Sequence, residues 1–282
     1  MRTSPRTWFI TGASRGLGRA FALAALERGD RVAAVSRTVT PHDFGDRYGD
    51  RLLTLSLDVT DREAVFAAVA GAVEHFGHLD IVVNNAGTLS MGMVEEFTEA
   101  EARAQLEVNL FGAMWVCQAV LPHLRERGAG HILQVSSIAA LGGFPSTGMY
   151  SASKFALEGM SEALAMEVAG FGVKVTIVEP GGYWTDLYTN PAMTTPAEPY
   201  GPLRAELEKQ WAEGSIDSEP QLAAEAVLKL VDSAEPPLRL LLGSMVYDLA
   251  FDVCRRRMET WESWEEVSRA AEHAVPAPGL SG

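Results

Sequence analysis

The chain has 282 residues, of which 47% are hydrophobic and 21% are charged, and its formal net charge is −14 at pH 7. A chain of this length and composition can bury a full core, and we expect one domain. Because nucleic-acid binding depends largely on Lys and Arg side chains that neutralise phosphates, the acidic balance predicts no nucleic-acid partner.

The sequence lacks the usual signals of secretion, membrane insertion and metal binding. Residues 1–8 are polar and have no apolar h-region, and no apolar run approaches the length that spans a bilayer. The two cysteines, Cys117 and Cys254, fit neither a disulfide framework nor a nucleophile, and the HExxH and CxxC spacings are absent. We therefore expect a cytoplasmic protein that binds no membrane and no metal.

Short apolar runs alternate along the chain with longer amphipathic segments, which predicts βαβ units and a mostly parallel sheet. The predicted strands are residues 8–11, 31–35, 52–57, 81–84, 131–135, 173–178 and 238–242. The predicted helices between them are residues 17–28, 61–76, 99–123 and 150–169. The strands are rich in Val and Leu with little alternation, as in strands covered on both faces. The pattern predicts an α/β fold with a doubly wound, mostly parallel seven-stranded sheet and helices on both faces.

Two later regions depart from this rhythm. Residues 185–220 are interrupted by prolines, and only residues 203–211 have a helical pattern. Residues 245–274 are helical in pattern, and residues 276–282 are predicted to fray. We expect residues 244–282 to form a helical extension of the domain made by residues 1–243.

A glycine-rich segment, residues 11–18, follows the first predicted strand and opens the first predicted helix. Glycine permits a tight turn, and a helix N-terminus presents free N–H groups and a positive dipole end to a pyrophosphate. A plain turn explains a lone Gly-x-Gly equally well, but the strand-turn-helix setting favours dinucleotide binding. The candidate ligands in this segment are Gly12, Ser14, Arg15, Gly16, Leu17 and Gly18.

Polar clusters also follow the fourth and fifth predicted strands, at residues 84–87 and 136–137. In an open α/β sheet, ligands bind beyond the carboxyl ends of the strands, so both clusters should line one cleft. Tyr150 and Lys154 are four residues apart and share a helical face. Taken singly, these features also fit ordinary turn residues and a surface pair.

Together these motifs resemble the short-chain dehydrogenase/reductase family, in its single-domain branch with a TGxxxGxG turn and a YxxxK active site. The resemblance covers roughly residues 7–243. It rests, in family order, on residues 11–18, Asp58, residues 84–87, Asn109, Ser137, Tyr150, Lys154, and Pro180, Gly181 and Thr185.

The resemblance implies an oxidoreductase that interconverts a ketone or aldehyde and an alcohol. Tyr150 would be the general acid for carbonyl reduction and the base for the reverse reaction. A free phenol has a pKa of about 10, so the charge of Lys154 would favour its anion. Ser137 would hydrogen-bond the substrate oxygen, and Asn109 would hold a water that relays protons to the lysine.

The resemblance also implies the remaining cofactor contacts. Asp58 and Val59 would contact the adenine, and Tyr150 and Lys154 the nicotinamide end, together with Asn85, Ala86, Gly87, Pro180, Gly181, Gly182 and Thr185. Family members that prefer NAD generally carry an Asp at the end of the second strand, where this chain has Ser36 followed by Arg37. An arginine fork matches a 2′-phosphate, so Arg37 and Arg15 predict NADP(H), although two solvated arginines would give the same pattern.

Residues 186–214 begin beside Thr185 and are expected to form a mobile lid over an apolar pocket for a bulky hydrophobic substrate. The candidate substrate contacts are Ser137, Leu141, Phe144, Met149, Trp184, Leu187 and Tyr188. These apolar residues fit ordinary loop packing as well. A cyclase, dehydratase or epimerase on the same fold, and an NADP(H) sensor without turnover, remain alternatives. The tail beyond residue 243 puts the family's usual tetramer in doubt, so a dimer, a tetramer and a monomer stay open.

Overall fold

The computed structural model describes residues 4–45, 47–212 and 218–273. Within them, seven parallel strands form one sheet in the order β3-β2-β1-β4-β6-β7-β9, and β5 pairs with β8 separately. The strands are Thr7–Thr11 (β1), Arg31–Ser36 (β2), Leu52–Ser56 (β3), Ile81–Asn84 (β4), Ser90–Met91 (β5), Gly130–Val135 (β6), Val173–Pro180 (β7), Ala192–Met193 (β8) and Arg239–Leu242 (β9). The predicted fold class is confirmed: the sheet is parallel throughout and reverses its strand order between β1 and β4.

Helices cover both faces of this sheet. They are Gly16–Glu27 (α1), Arg62–Phe76 (α2), Glu99–Leu106 (α3), Gly112–Arg127 (α4), Gly148–Val168 (α5), Asp186–Thr189 (α6), Gly201–Ala212 (α7), Pro220–Asp232 (α8), Ser244–Ser263 (α9) and Glu265–Ala270 (α10). No described helix is both long enough and apolar enough to cross a membrane.

Side-chain alternation along β1 divides the buried residues between two cores. Trp8 and Ile10 point into the core that α1 and α8 cover, whereas Phe9 points into the core beneath α2 and α4. Successive side chains of a strand face opposite sides of the sheet, so a strand covered on both sides is apolar throughout. This explains the unbroken apolar run at the start of the chain.

Local capping sets the limits of α2. The Asp61 carboxylate accepts a hydrogen bond from the Ala64 N–H at 3.0 Å, which satisfies one free donor of the first turn. Gly77 ends the helix with a φ of 82°, in the left-handed region that glycine adopts at low cost. The helix thereby presents Val65, Val69 and other apolar side chains to the sheet.

The predicted helix at residues 99–123 is wrong in one respect. It is divided into α3 and α4 by a π turn at Glu107–Phe111, and α4 continues to Arg127. Helix α8 and the short strands β5 and β8 were not predicted. The predicted helix at residues 245–274 is divided into α9 and α10. Three predicted parts of the chain lie outside the described residues: residue 274, residues 276–282, which were expected to fray, and residues 213–214 of the expected lid.

Candidate active site

The glycine turn after β1 is shaped by close contact with the end of β4. Gly12 has a φ of 65°, and a Cβ there would come within 2.9 Å of the Asn85 side-chain nitrogen. A Cβ on Gly18 would collide with the same nitrogen and with the Gly12 carbonyl oxygen. Glycine is therefore required at both positions, and the N-terminus of α1 stays open to a ligand.

Thr11 and Asn85 fasten the two strand ends together. The Thr11 hydroxyl oxygen accepts hydrogen bonds from the Asn85 and Ala86 N–H groups at 3.0 and 2.9 Å. The Asn85 side chain donates to the Thr11 and Gly12 carbonyls at 2.9 and 3.2 Å. The amide of Asn85, a predicted cofactor contact, thus holds the glycine turn in place.

Tyr150 and Lys154 lie on the first turns of α5, and each is 4% exposed. The Lys154 ammonium donates to the Val135 carbonyl at 2.8 Å and lies 5.7 Å from the centre of the Tyr150 ring. Ser137 lies two residues beyond the end of β6, and its hydroxyl accepts a hydrogen bond from the Ala139 N–H at 3.1 Å. The end of β6 therefore positions both the lysine and the serine.

Burial opposes ionisation of both groups on α5. It raises the pKa of the Tyr150 phenol well above its usual range, an effect to which Tyr188 adds, while a hydrogen bond with Ser137 acts in the opposite direction. It lowers the pKa of Lys154 to about 8, against the favourable charge of Glu158. Without a ligand, the tyrosine is in its proton-donating form at neutral pH.

Asn109 lies in the π turn between α3 and α4 and is 1% exposed. Its side-chain oxygen accepts from the Thr88 N–H at 2.9 Å, and its nitrogen donates to the Thr88 carbonyl and the Ser153 hydroxyl, each at 3.0 Å. These bonds join the π turn to α5 beside the reactive pair. The amide group therefore holds two elements in register.

A partly buried group of charges lies one helical turn beyond Lys154. The Ser136 hydroxyl donates to the Glu158 carboxylate at 2.5 Å, and Arg239 binds the same carboxylate. Arg239 also donates to Glu179 at 2.7 Å and to Glu162 at 2.6 Å. Sequence reasoning missed this group; the one signal was a pair of glutamates four residues apart on the helix that carries Lys154.

Most of the predicted residues converge on one groove along the carboxyl ends of the strands. The inner part of the groove has a volume of about 760 Å³, including its open mouth. Five residues that were not predicted line it, namely Thr88, Val135, Ser136, Tyr183 and Asp186. The predicted residues that line it are Gly12, Arg15, Gly16, Leu17, Asn85, Ala86, Gly87, Ser137, Tyr150, Lys154, Pro180, Gly181, Thr185, Leu187 and Tyr188. The adjoining part is lined by Ser14, Ser36, Arg37, Asp58 and Val59, and shares Gly12, Arg15, Ala86 and Gly87 with the first. The two parts therefore form one continuous site.

Several predicted contacts do not line either part of this groove, and their roles stay predictions. Leu141, Phe144, Met149, Trp184 and Gly182 are not among the residues that line the groove. The Trp184 side chain is 64% exposed, and the Leu141 carbonyl accepts a hydrogen bond from Arg257 on α9. The Gly182 carbonyl accepts from the Ser218 N–H at 3.1 Å and so holds the chain beyond the lid.

A family model for short chain dehydrogenases matches residues 6–194. The chain belongs to the short-chain dehydrogenase/reductase family. It is 42% identical over 277 residues to Oxidoreductase BOA17 of Botryotinia fuckeliana, an alignment that covers 94% of this chain and 99% of that protein. It is 37% identical over 249 residues to a 3-ketodihydrosphingosine reductase of Bacteroides thetaiotaomicron, covering 86% and 89%.

Solved structures of this family have the same fold. A short-chain dehydrogenase from Streptomyces avermitilis matches with a TM-score of 0.87 at 37% identity, covering 96% of this chain and 100% of that one. A short chain dehydrogenase from Burkholderia cenocepacia, solved in complex with NADP, matches with a TM-score of 0.73 at 29% identity, covering 93% and 98%. This chain is therefore an oxidoreductase of the short-chain dehydrogenase/reductase family.

The segment expected to form a lid is bonded near its centre to Glu96. The carboxylate accepts from the Thr194 hydroxyl at 2.9 Å and the Ala197 N–H at 2.8 Å, and it binds Arg204. The Glu96 side chain is 1% exposed, and these bonds, that of Arg204 first, lower its pKa to about 2. Residues 192–204 are therefore attached to the 3-10 turn at residues 94–96 as well as to β5.

Two arginines line the part of the groove that contains Ser36. Arg15 forms an ion pair with Asp186 at 3.3 Å, and both side chains are more than half exposed. Hydrogen bonds from Thr60, together with the charge of Arg37, lower the pKa of the Asp58 carboxyl group. Both guanidinium groups thus lie near carboxylates, and Ser36 stands where a family member that prefers NAD would carry a further carboxylate.

Proposed function

We propose that this chain is an NADP(H)-dependent oxidoreductase that interconverts a ketone or aldehyde and an alcohol, with a bulky, largely hydrophobic substrate. The observation that carries the proposal is the groove itself, which has Ser137, Tyr150 and Lys154 in one part and Arg37 in the adjoining part, with Arg15 lining both. Acid-base groups in one part and cations in the adjoining part suit a hydride-transferring site that also binds a phosphorylated dinucleotide.

The chemistry of the groove fits that cofactor. The Cβ positions excluded at Gly12 and Gly18 leave the backbone free to approach a pyrophosphate at the N-terminus of α1. Arg15 and Arg37 would hold the 2′-phosphate, and Lys154 and Thr185 the nicotinamide end. The nicotinamide, when bound, supplies or accepts the hydride. A neighbour of this chain was solved with NADP, which adds support.

The protein's own groups would handle the proton. The Ser137 and Tyr150 hydroxyls would hydrogen-bond the substrate oxygen, and Tyr150 would donate its proton to that oxygen during reduction. Burial keeps the phenol protonated before the reaction, which suits a proton donor. As the phenolate forms, the charge of Lys154 stabilises it, and the Val135 carbonyl holds the ammonium in position.

Packing around Tyr150 supports an apolar substrate. Tyr150 clusters with Leu89 and Ala139, and the partly buried Met91 and Leu187 pack against them. Pockets of this kind bind apolar surface and rely on few polar groups for orientation. One relative is named a 3-ketodihydrosphingosine reductase, which adds support for a ketone substrate.

We also propose that residues 1–243 form the catalytic domain, with residues 186–214 as its lid and residues 244–282 as an extension. Val246 of α9 is fully buried, and a Cβ on Gly181 would come within 2.6 Å of it, so the start of α9 supports the wall of the groove. The cytoplasmic location stays a prediction.

The test is Tyr150→Phe, assayed with NADPH and a panel of hydrophobic and charged carbonyl compounds. The expected result is a fall in kcat of about 10²–10⁴-fold, with the Kd for NADPH changed by less than about twofold, because the lost hydroxyl serves proton transfer. Tyr183→Phe removes another hydroxyl from the groove and should keep most of the activity. If Tyr150→Phe keeps more than half of the wild-type kcat, the proposed reaction is overturned. If the wild type prefers small charged keto acids, the proposed substrate class is overturned.

A further inference from the structure

Helix α9 presents a regular apolar stripe to solvent. Tyr247, Phe251, Met258 and Trp261 are each more than half exposed, and Cys254 is exposed between them. These five residues follow one another at intervals of four, three, four and three positions. That alternation is the heptad spacing of a helix that packs along another helix.

A neighbouring face of α9, about 100° around the helix axis from the stripe, is already occupied. Val246 is fully buried against Gly181, and a Cβ on Gly142 would be 3.7 Å from Val253. Arg257 donates to the Leu141 carbonyl at 2.8 Å. A surface helix normally has one apolar face directed at the core, so a second apolar stripe on α9 indicates a further packing partner.

Size and charge along the stripe indicate what that partner is. In an antiparallel pair of α9 helices, Phe251 faces Cys254 and Tyr247 faces Met258, so each bulky ring meets a smaller or more flexible side chain. The same register brings Asp248 of one helix beside Arg255 of the other, twice by symmetry. In a parallel pair, identical rings would meet one another.

We propose that α9 is a dimerisation helix that packs antiparallel against α9 of a second copy of this chain. Three aromatic rings and one methionine, each more than half exposed, supply on the order of 500 Å² per copy. A standard interface needs about 800 Å² per copy. Trp264, which is 61% exposed beside the stripe, contributes to the remainder.

A membrane surface suits this helix less well. Helices that lie on membranes are rich in Lys and Arg on their polar face, whereas α9 carries three arginines and four carboxylates. The chain as a whole has a net charge of −14, which an anionic leaflet repels. A second copy of α9, with both signs of charge beside its stripe, complements this surface.

The first experiment introduces charge into the stripe with the double variant Phe251→Glu/Met258→Glu. Sedimentation velocity at micromolar concentration should give an assembly of half the wild-type mass, with unchanged circular dichroism. Leu222→Glu, which changes a 56% exposed leucine on α8, is the matched control and should keep the wild-type mass. An unchanged mass in the double variant, or a monomeric wild type, overturns the proposal. If the wild type is a monomer that sediments with phosphatidylcholine vesicles, the stripe binds a membrane surface and the proposal is overturned.

The second experiment tests the orientation of the pair. In a Cys254→Ser background, Tyr247→Cys/Met258→Cys should give a disulfide-linked dimer on mild oxidation, because these positions face each other across the antiparallel pair. They lie about 16 Å apart along one helix, too far to link within a chain. The control Asp252→Cys/Glu259→Cys lies off the stripe and should not link. A dimer linked through Cys254 in the unmodified chain would overturn the antiparallel arrangement.

Discussion

The ammonium group of Lys154 lies in a buried position, 4% exposed, and burial lowers its pKa from 10.5 to about 8. Below pH 8 Lys154 is protonated in both the folded and the unfolded chain, so the free energy of unfolding is lowered by the full cost of burying the ammonium group. Between pH 8 and 10.5 the folded chain loses the proton first, and stability rises with pH. The buried position of Lys154 beside Tyr150 thus lowers the stability of the folded chain at neutral pH.

We therefore predict that Lys154→Met stabilises the protein at pH 7 while removing turnover. The gain is at most about 3 kcal/mol, since each pKa unit corresponds to about 1.4 kcal/mol and the hydrogen bond to Val135 is lost. Urea unfolding at pH 7 and pH 10 should show the gain shrinking as pH rises. The exposed Lys229→Met is the control. A variant less stable than wild type at pH 7 would contradict the burial argument.

Glu158 offers a second prediction at the scale of single residues. Its charge raises the pKa of Lys154, and its carboxylate binds Ser136 and Arg239. Glu158→Gln keeps hydrogen-bonding groups but removes the charge, so Lys154 should lose its proton at lower pH. The descending limb of the kcat/KM profile then moves to lower pH, and activity at pH 8 falls to about a third.

Glu162→Gln provides the matched control for this change. Glu162 binds the same arginine but is half-exposed, and its charge is not among the causes of the Lys154 shift. Its pH profile should coincide with that of the wild type. If both variants shift the profile equally, the effect comes from Arg239 and not from the charge of Glu158.

The residue scale also shows what sequence patterns can and cannot give. Tyr150 and Lys154 could be identified because their chemistry depends on a spacing of four along one helix. The grouping of Glu158 with Arg239 could not, because the two residues are 81 positions apart and meet only once β9 has joined the sheet. Asn85 was identified, but its use as a clamp on Thr11 depends on the pairing of β1 with β4.

At the scale of elements, the proposed lid depends on the buried Glu96 carboxylate. The pKa of this carboxyl group in the folded chain is about 2, below the 4.5 of a free glutamate, so the stability it contributes is present above pH 4.5 and is lost as the pH falls toward 2. We predict that Glu96→Gln loosens the lid at neutral pH. Hydrogen exchange at the Ala197 amide should become about tenfold faster, because an amide replaces a charged acceptor.

Glu95→Gln controls for this prediction. Glu95 also bonds to the lid, accepting from the Tyr200 hydroxyl at 2.6 Å, but this contact is exposed. Exchange at Ala197 should stay at the wild-type rate in this variant, and KM should rise only in Glu96→Gln. Equal exchange rates in the wild type and both variants would show that β5 and β8 alone hold the lid.

The elements that the sequence did not predict share a dependence on distant contacts. Strands β5 and β8 have two residues each, too few for a periodic pattern, and they pair across about a hundred positions of the chain. The π turn depends on bonds from Asn109 to Thr88 and Ser153. Helix α8 was recognisable in principle, because Pro220 stands at its first turn and its buried residues follow helical spacing.

At the scale of the whole molecule, the groove is a local exception to the overall charge. The chain carries −14 formal charges, yet Arg15 and Arg37 line the part of the groove that would hold the phosphorylated ribose. Long-range steering of an anionic cofactor is therefore weak, and its affinity must come from short contacts. Because the affinity for each cofactor depends on these contacts, the preference between cofactors can be measured as a change in the Tm, without any substrate.

We predict that NADP⁺ raises the Tm more than NAD⁺ at equal concentration. A ligand at 100 times its Kd stabilises the folded state by about 2.7 kcal/mol, which for a chain of this size raises the Tm by about 5 °C. Arg37→Ala should move the NADP⁺ shift toward the NAD⁺ value, because one of the two proposed contacts to the 2′-phosphate is lost while Arg15 remains. Arg103→Ala, on the exposed face of α3, should leave both shifts unchanged.

Raising the salt concentration should narrow the difference between the Tm shifts of the two cofactors, since Arg15 and Arg37 are exposed and salt screens their charges. Equal shifts for the two cofactors in the wild type would mean that Ser36 and Arg37 do not discriminate between them.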